Sequence, residues 1–297
     1  MRTFAHENKR EAYMIKQINA NGKLIDLSRP QVMGILNITP DSFYAGSRKQ
    51  SEAEVVARIH QIADEGGSII DIGAYSSRPN AAEVSTDEEM RRLRFGLDII
   101  RRELPHATVS VDTFRADVAR MCVEEYGAAL INDISAGEMD KHMFETIAHL
   151  GVPYIIMHMQ GTPQTMQEHP HYDNVLKEVL SYFSEKVQRL CDLGVKDIIL
   201  DPGFGFGKTL EHNYALLNQL EEFSIFGLPV LVGVSRKSMI YKLLDCTPED
   251  ALNGTIAVHA IALTKGADIL RVHDVKAASE TVQIVEAMRL QATSTNL

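Results

Sequence analysis

Cysteine is scarce: Cys122, Cys191 and Cys246 are the only three in 297 residues, and no two form a CxxC pair. That excludes a disulfide framework and a zinc ribbon, and it suits a reducing cytoplasm, with the three thiols as small core residues. There is no lysine-rich block, and 40 acidic residues outweigh 30 basic ones for a net charge of -10. An acidic chain is a poor ligand for a phosphate backbone, so nucleic acid is not an expected partner. No apolar run approaches the roughly 18 residues of a membrane span, and the N-terminus MRTFAHENKREAYMIKQ lacks the apolar centre of a signal peptide. No Pro- or Ser-rich linker and no low-complexity segment interrupts the chain, which argues against a domain boundary.

What is there begins with ILDPGFGFGKT, Ile199 to Thr209, which resembles two phosphate-binding loops and is neither. In a Walker loop two glycines bracket four residues ahead of Lys and Ser/Thr. The residue five before Gly207 is Pro202, so that frame fails. The dinucleotide fingerprint fails too, because Gly203, Gly205 and Gly207 merely alternate with Phe204 and Phe206. What remains is a strand with an acidic tip, a glycine loop and a helix.

The unit has company. IKQINANGKLIDLS alternates about Asn21-Gly22, a pair suited to a tight hairpin, because both turn residues tolerate positive φ. Short apolar runs then recur at VMGILNI, SIIDIG, TVSVD, ALINDI, YIIMHM, DIILD, PVLVGVS and ILRVH. Between them lie helical patterns, among them one placing Val175, Leu176, Val179, Leu180, Phe183, Val187 and Leu190 on one face. Several helices end at glycine, at Gly66, Gly127, Gly151, Gly194 and Gly266. Eight βα units with nearly continuous apolar strands predict an α/β fold, a single (β/α)8 TIM barrel with an N-terminal β-hairpin cap. Residues 14–290 form that barrel with its hairpin, residues 1–13 a frayed N-terminus and 291–297 a polar tail.

Polar residues gather where each strand ends: Asn37, Asp71, Asp112, Asn132 and Asp133, His158, Asp201, the run Ser235-Arg236-Lys237, and Arg271, His273 and Asp274. In such barrels the C-terminal rim builds the active site. A carboxylate there is costly to desolvate unless something binds it. A single strand-end Asp serves as often as a cap or a loop tie, and Asp133 and Asp274 are read as structural. Arg236 is read as pairing with an acidic loop, and His259 as core or interface. His169 and His171 are read as solvated loop residues rather than metal ligands. Lys208 is read as at best a helper, and more often a solvated loop charge. No Ser, Cys or His stands as a nucleophile with a paired base.

MGILNITPDSF, SVDT, INDISAG, MHMQGTPQTMQ, LDPGFGFGKT, VGVSRKS and RVHDV, in that order from about residue 31 to residue 276, resemble the successive signatures of the dihydropteroate synthases. The resemblance implies condensation of 7,8-dihydropterin pyrophosphate with p-aminobenzoate, giving 7,8-dihydropteroate and pyrophosphate in folate synthesis. It further implies Mg²⁺, a homodimer built on the final helices, and a place at the step of folate synthesis that sulfonamides block. For the pterin it implies Asp112, Asn132, Met157, Asp201, Lys237 and Arg271. Asp201 would accept from the ring N–H and exocyclic amine as only a carboxylate can. Asn37, Ser77, Arg271 and His273 would receive the pyrophosphate, with Asn37 also a metal ligand. Phe43, Ser77, Arg78, Pro79, Phe206 and Ser238 would hold p-aminobenzoate, its carboxylate facing the backbone amide that opens the helix at Ser238. Asn37, Asp112, Lys237, Arg271 and His273 would carry the catalysis.

The chain departs from that pattern in two loops. Ala45 stands where the family has an Asp, and GAYSSRPN replaces Gly-Gly-Glu-Ser-Thr-Arg-Pro-Gly, so that Tyr75 and Ser77 differ while Asp41, Phe43, Arg78 and Pro79 remain. Two other classes compete: a pterin-binding methyltransferase barrel serving a corrinoid protein, and a catalytically silent binding barrel. The first has less use for SRKS and RVHD, and intact rim residues speak against the second.

Overall fold

The computed structural model describes residues 16–38, 48–75, 84–166 and 170–294. β1 (Gln17–Ala20) and β2 (Lys23–Asp26) pair antiparallel about Asn21 and Gly22, whose φ angles of 52° and 84° are those of a hairpin turn with two left-handed residues. The expected cap is therefore present. Ile18, Ala20 and Leu27 pack with Met33, Ile69, Leu130, Ile155, Ile199, Leu231 and Ile269, which come from the lower parts of the barrel strands. The hairpin thus seals the barrel floor with apolar surface.

The barrel strands are β3 (Gln31–Asn37), β4 (Ile69–Gly73), β5 (Thr108–Asp112), β6 (Leu130–Asp133), β7 (Tyr154–Met157), β8 (Ile198–Asp201), β9 (Leu231–Val232) and β10 (Ile269–Val272). Their order is β8-β7-β6-β5-β4-β3-β10-β9, every pair parallel. A Leu200–Val230 bridge closes the ring, with the Leu200 N–H donating to the Pro229 carbonyl at 2.9 Å. β9 is shorter than PVLVGVS suggests, because the chain leaves the ladder after Val232 and turns, Lys237 N–H reaching the Val234 carbonyl at 3.1 Å.

Around the barrel run α1 (Arg48–Asp64), α2 (Thr86–Glu103), α3 (Ala116–Tyr126), α4 (Met143–Leu150), α5 (Val175–Asp192), α6 (Leu210–Asn218), α7 (Ser238–Tyr241), α8 (Leu252–Thr264) and α9 (Val275–Ser294). The α5 stripe buries Val175, Val179, Phe183 and Leu190 as its spacing requires, and also Lys186, which pairs with Glu138 and lies 5.8 Å from the Phe144 ring centre and 5.3 Å from that of Tyr182. Gly127 and Gly151 close α3 and α4 at φ 69° and 65°, where a Cβ would be strained. α9 continues through Gln291 to Ser294, beyond the 290 boundary read from polarity. None of the described helices is long and apolar enough to cross a membrane.

Candidate active site at the barrel mouth

Strand pleat and register assemble the mouth. Asn37 lies opposite Gly73, Gly73 opposite Asp112, and Asp112 opposite Asn132, while Met157 faces Asp201 across β7 and β8. Gly73 leaves room: a Cβ there would sit 3.3 Å from the Asp112 Cβ. One pleat lower on β4 is Asp71, fully buried.

Arg271 ties these strands together. Its Nε donates to Asp71 Oδ2 and its Nη2 to Asp112 Oδ2, each at 2.6 Å, while Asn132 Nδ2 donates to the same Asp71 oxygen at 3.2 Å. Burial alone would lower the guanidinium's pKa, but Asp71 and Asp112 more than offset it and hold the cation above its ordinary value. Burial raises the Asp112 carboxyl to about 7 against the pull of Arg271, with Asp71 pushing the same way.

The other half of the mouth converges on Gly233, just past β9. A Cβ placed there would lie 3.8 Å from Lys237 Nζ and 3.9 Å from both Asp201 Oδ2 and Arg271 Cβ. Asp201 Oδ1 accepts the Gly203 N–H at 2.8 Å, and burial raises the Asp201 carboxyl despite the nearby Lys237. Lys237 Nζ donates to the Phe204 carbonyl at 2.6 Å and rides 4.6 Å above the Phe206 ring. Burial brings Lys237 down to about 8, with Asp201 opposing. Met157, Phe114 and Ile134 form a small apolar cluster with Tyr75, Met139, Met159 and Phe206 packed against it, so one wall of the mouth is soft and aromatic.

The rim residues are more exposed. His273 accepts at most a long contact from its neighbour: its Nδ1 is 3.3 Å from Ser235 Oγ, and its backbone N–H donates to that hydroxyl at 3.2 Å. A Ser–His pair absent from the sequence reading therefore exists, but the backbone contact and the length make it a positioning contact. Desolvation in the mouth, then Arg271, push the His273 ring below its ordinary pKa. Asn37 is exposed at the end of β3. Ser238 opens α7, which is a single turn of four residues, so the helix dipole expected behind its amide is short.

Several readings stand as made. Asp133 is structural, accepting from Ser135, Gly137 and Tyr154; Asp274 accepts from Nε and Nη2 of Arg236, and His259 is buried. Two readings need correction: of the three cysteines read as core only Cys122 is buried, Cys191 being exposed, and Lys208 is enclosed. It is 4% exposed rather than solvated, and its Nζ lies within 3.2 Å of His158 Nδ1 and three backbone carbonyls. Spacing alone cannot show this, because the acceptors come from two loops. Asp71 was visible as a carboxylate inside the apolar run IIDIG; its partners were not. Phe43, Ala45, Ser77, Arg78 and Pro79 lie outside the described residues, as does His169.

A closed barrel with a carboxylate-rich, cation-laced mouth and an aromatic wall defines a binder of flat, hydrogen-bonding heterocycles. The sequence pattern of the pterin binding enzyme family matches residues 33–273, and the chain belongs to that family. Within it the similarity is to dihydropteroate synthases. The chain is 46% identical over 270 residues to the dihydropteroate synthase of Escherichia coli (strain K12), covering 90% of this chain and 95% of that protein. It is 44% identical over 273 residues to the enzyme of Haemophilus influenzae, covering 91% and 98%. Among solved structures it superposes on the Yersinia pestis dihydropteroate synthase bound to a sulfonamide drug, with a TM-score of 0.84, 42% identity, and coverage of 92% of this chain and 99% of that one. The Xanthomonas albilineans dihydropteroate synthase with 4-aminobenzoic acid superposes at a TM-score of 0.83, 37% identity, covering 93% and 98%.

Proposed function

We propose that this protein condenses 6-hydroxymethyl-7,8-dihydropterin diphosphate with p-aminobenzoate, releasing pyrophosphate and 7,8-dihydropteroate. The observation that carries the reading is the convergence of Asp71, Asp112, Asn132, Asp201, Lys237 and Arg271 at one end of a barrel whose relatives are dihydropteroate synthases.

In this reading Asp201, with Oδ2 turned toward Gly233, accepts from the pterin N–H and amine, and Asn132 meets the neighbouring ring edge. Met157 lines the floor. Lys237 faces the oxygen edge, and Arg271, fixed by two carboxylates, lies beside the ring and the diphosphate. The C–O bond breaks with its electron pair leaving on the diphosphate oxygen, and the positive charge spreads from the methylene carbon into the electron-rich ring. Asp112 offsets that charge; Asn37, Ser77, Arg271 and His273 receive the anion. The neutral aromatic amine then forms the C–N bond and gives its proton to water, so no strong base is required. Catalysis is positioning plus electrostatics.

For p-aminobenzoate we assign Phe206 with Pro79 as a ring sandwich, Phe43, Ser77 and Arg78 beside it, and Ser238 at the carboxylate. The described residues hold no group of three His, Cys, Asp or Glu able to bind a metal. The exposed Asn37 oxygen nevertheless suits Mg²⁺, which is commonly held by one or two protein ligands with substrate phosphates and water. When bound it neutralises charge on the departing diphosphate.

The cytoplasm is the assigned compartment, and a homodimer the assigned assembly. Ile261 on α8 and Ile284, Met288 and Leu290 on α9 expose apolar surface that a second copy would cover. The methyltransferase reading is not favoured by relatives at this identity. Turnover with both substrates, with and without Mg²⁺, tests the proposal: formation of dihydropteroate and pyrophosphate is expected, and their absence overturns it.

A further inference from the structure

Lys208 takes no part in the chemistry above, yet it is among the most enclosed charges in the molecule. Its ammonium sits between the loop that follows β7 and the loop that follows β8. From the first come the His158 carbonyl at 3.2 Å and His158 Nδ1 at 2.9 Å; from the second come the carbonyls of Gly203 and Phe206, each at 3.0 Å. Three carbonyls can only accept, so they favour the ammonium with its three protons, against burial that pulls the Lys208 pKa down to about 7. The same two loops are in direct backbone contact, since a Cβ on Gly203 would fall 1.9 Å from the His158 carbonyl oxygen. Tyr172 adds a further tie, its hydroxyl donating to the Gly207 carbonyl at 2.8 Å.

The residues gripped are those that present the two substrates. The peptide units around Gly203 connect both sides, because the Gly203 N–H goes to Asp201 Oδ1 and the Gly203 carbonyl to Lys208. The Phe206 carbonyl fixes the backbone that carries the Phe206 ring, and Lys237 takes the Phe204 carbonyl at 2.6 Å from the mouth side. Two lysines thus hold the backbone from Gly203 to Phe206, Lys208 at the carbonyls of Gly203 and Phe206 and Lys237 at that of Phe204.

We propose that Lys208 is a positioning residue for both substrates: it sets the Phe206 ring against p-aminobenzoate, and from behind the Asp201 carboxylate it supports that anion as the pterin anchor. This rests on the function proposed above. Among the described residues no carboxylate hydrogen-bonds to Lys208; backbone carbonyls hold its ammonium, and its positive charge favours the Asp201 carboxylate through space.

The test compares Lys208→Met, Lys208→Gln and, as a control for losing a paired, partly buried lysine at the barrel floor, Lys16→Met, which breaks the Lys16–Asp268 ion pair, with wild type assayed alongside. The KM for each substrate, kcat, and the Kd for a 6-substituted pterin lacking the diphosphate are read for each, with thermal melts to normalise for folded protein. Lys208→Met is expected to raise the KM for p-aminobenzoate and the pterin Kd by about tenfold each, the scale of one lost charge-assisted hydrogen bond. Lys208→Gln keeps donors for the loop carbonyls without the charge, so it is expected to restore the p-aminobenzoate KM while the pterin Kd stays weak. If Lys208 only braced the scaffold, its variants would behave like Lys16→Met, with fewer active molecules and unchanged KM and Kd; that result overturns the inference. Should Lys208→Met not fold, Lys208→Gln with both constants at wild-type values does the same. A wild-type protein that makes no dihydropteroate would instead refute the function itself, which the parallel assay distinguishes.

Discussion

Arg271 Nε meets Asp71 Oδ2 at 2.6 Å, and Asp71 is a carboxylate with no solvent exposure whose other oxygen has no hydrogen-bond partner among the described residues. The pair joins β10 to β4 across the barrel interior, and Asp112 completes it. A carboxylate that deep is tolerable only while the guanidinium stays. Arg271→Ala is therefore expected to cost about 3–5 kcal/mol of stability, read by denaturant unfolding, and to raise the KM for the dihydropterin diphosphate. An unchanged KM would remove Arg271 from substrate recognition.

Asp201 is the assigned pterin anchor. Asp201→Ala removes the acceptor of two ring hydrogens and is expected to weaken pterin binding about a hundredfold or more, with the barrel intact by circular dichroism. Retained affinity in a calorimetric titration would assign the anchor elsewhere.

The Phe206 ring carries Lys237 on one face at 4.6 Å and borders the Met157 cluster. Phe206→Ala is expected to raise the p-aminobenzoate KM about tenfold while leaving the pterin Kd within twofold of wild type. Equal losses for both substrates would mean that the ring serves the loop rather than the second substrate.

Two glycines separate strain from space. Gly203 has φ 72° and would drive a Cβ to 1.9 Å from the His158 oxygen, whereas a Cβ on Gly233 meets only ordinary contacts at 3.8–3.9 Å. Gly203→Ala is expected to lower the melting temperature sharply. Gly233→Ala is expected to melt near wild type and to lose pterin affinity, because the new methyl stands among Asp201, Lys237 and Arg271. The reverse ranking in melts and titrations would contradict this placement of the two loops.

His158 sets an acid limb. Burial, then Lys208, depress its folded pKa from 6.5 to about 3. Between those values the unfolded chain binds a proton that the folded one does not, so stability present above pH 6.5 drains away as pH falls and levels off below about 3. From pH 6.5 to 5 the loss is up to about 2 kcal/mol. His158→Asn is expected to flatten that part of the limb in urea titrations at the two pH values; a parallel pH dependence would show that other groups dominate.

The barrel was legible because its strands are buried on both faces and so read as short apolar runs, and because α3 and α4 end at glycines in the left-handed region. Asp112, Asn132, Asp201, Lys237 and Arg271 stood out as polar residues where apolar strands stop. Lys208 was misjudged for a physical reason: in sequence it follows a glycine in a loop, and only the meeting of that loop with His158 shows it to be enclosed. The break of α6 at Gln219 into the 3-10 turn Leu220–Phe226 was equally invisible, since TLEHNYALLNQL keeps a helical apolar period across it.

The hairpin at the opposite end has a practical meaning. With Ile18, Ala20 and Leu27 stoppering the base, the described residues form a cup whose doorway lies at the other end. Lys23 and Leu24 at the tip of the stopper point to solvent on the far side, so a dye, bead or fused chain attached there would leave that doorway clear.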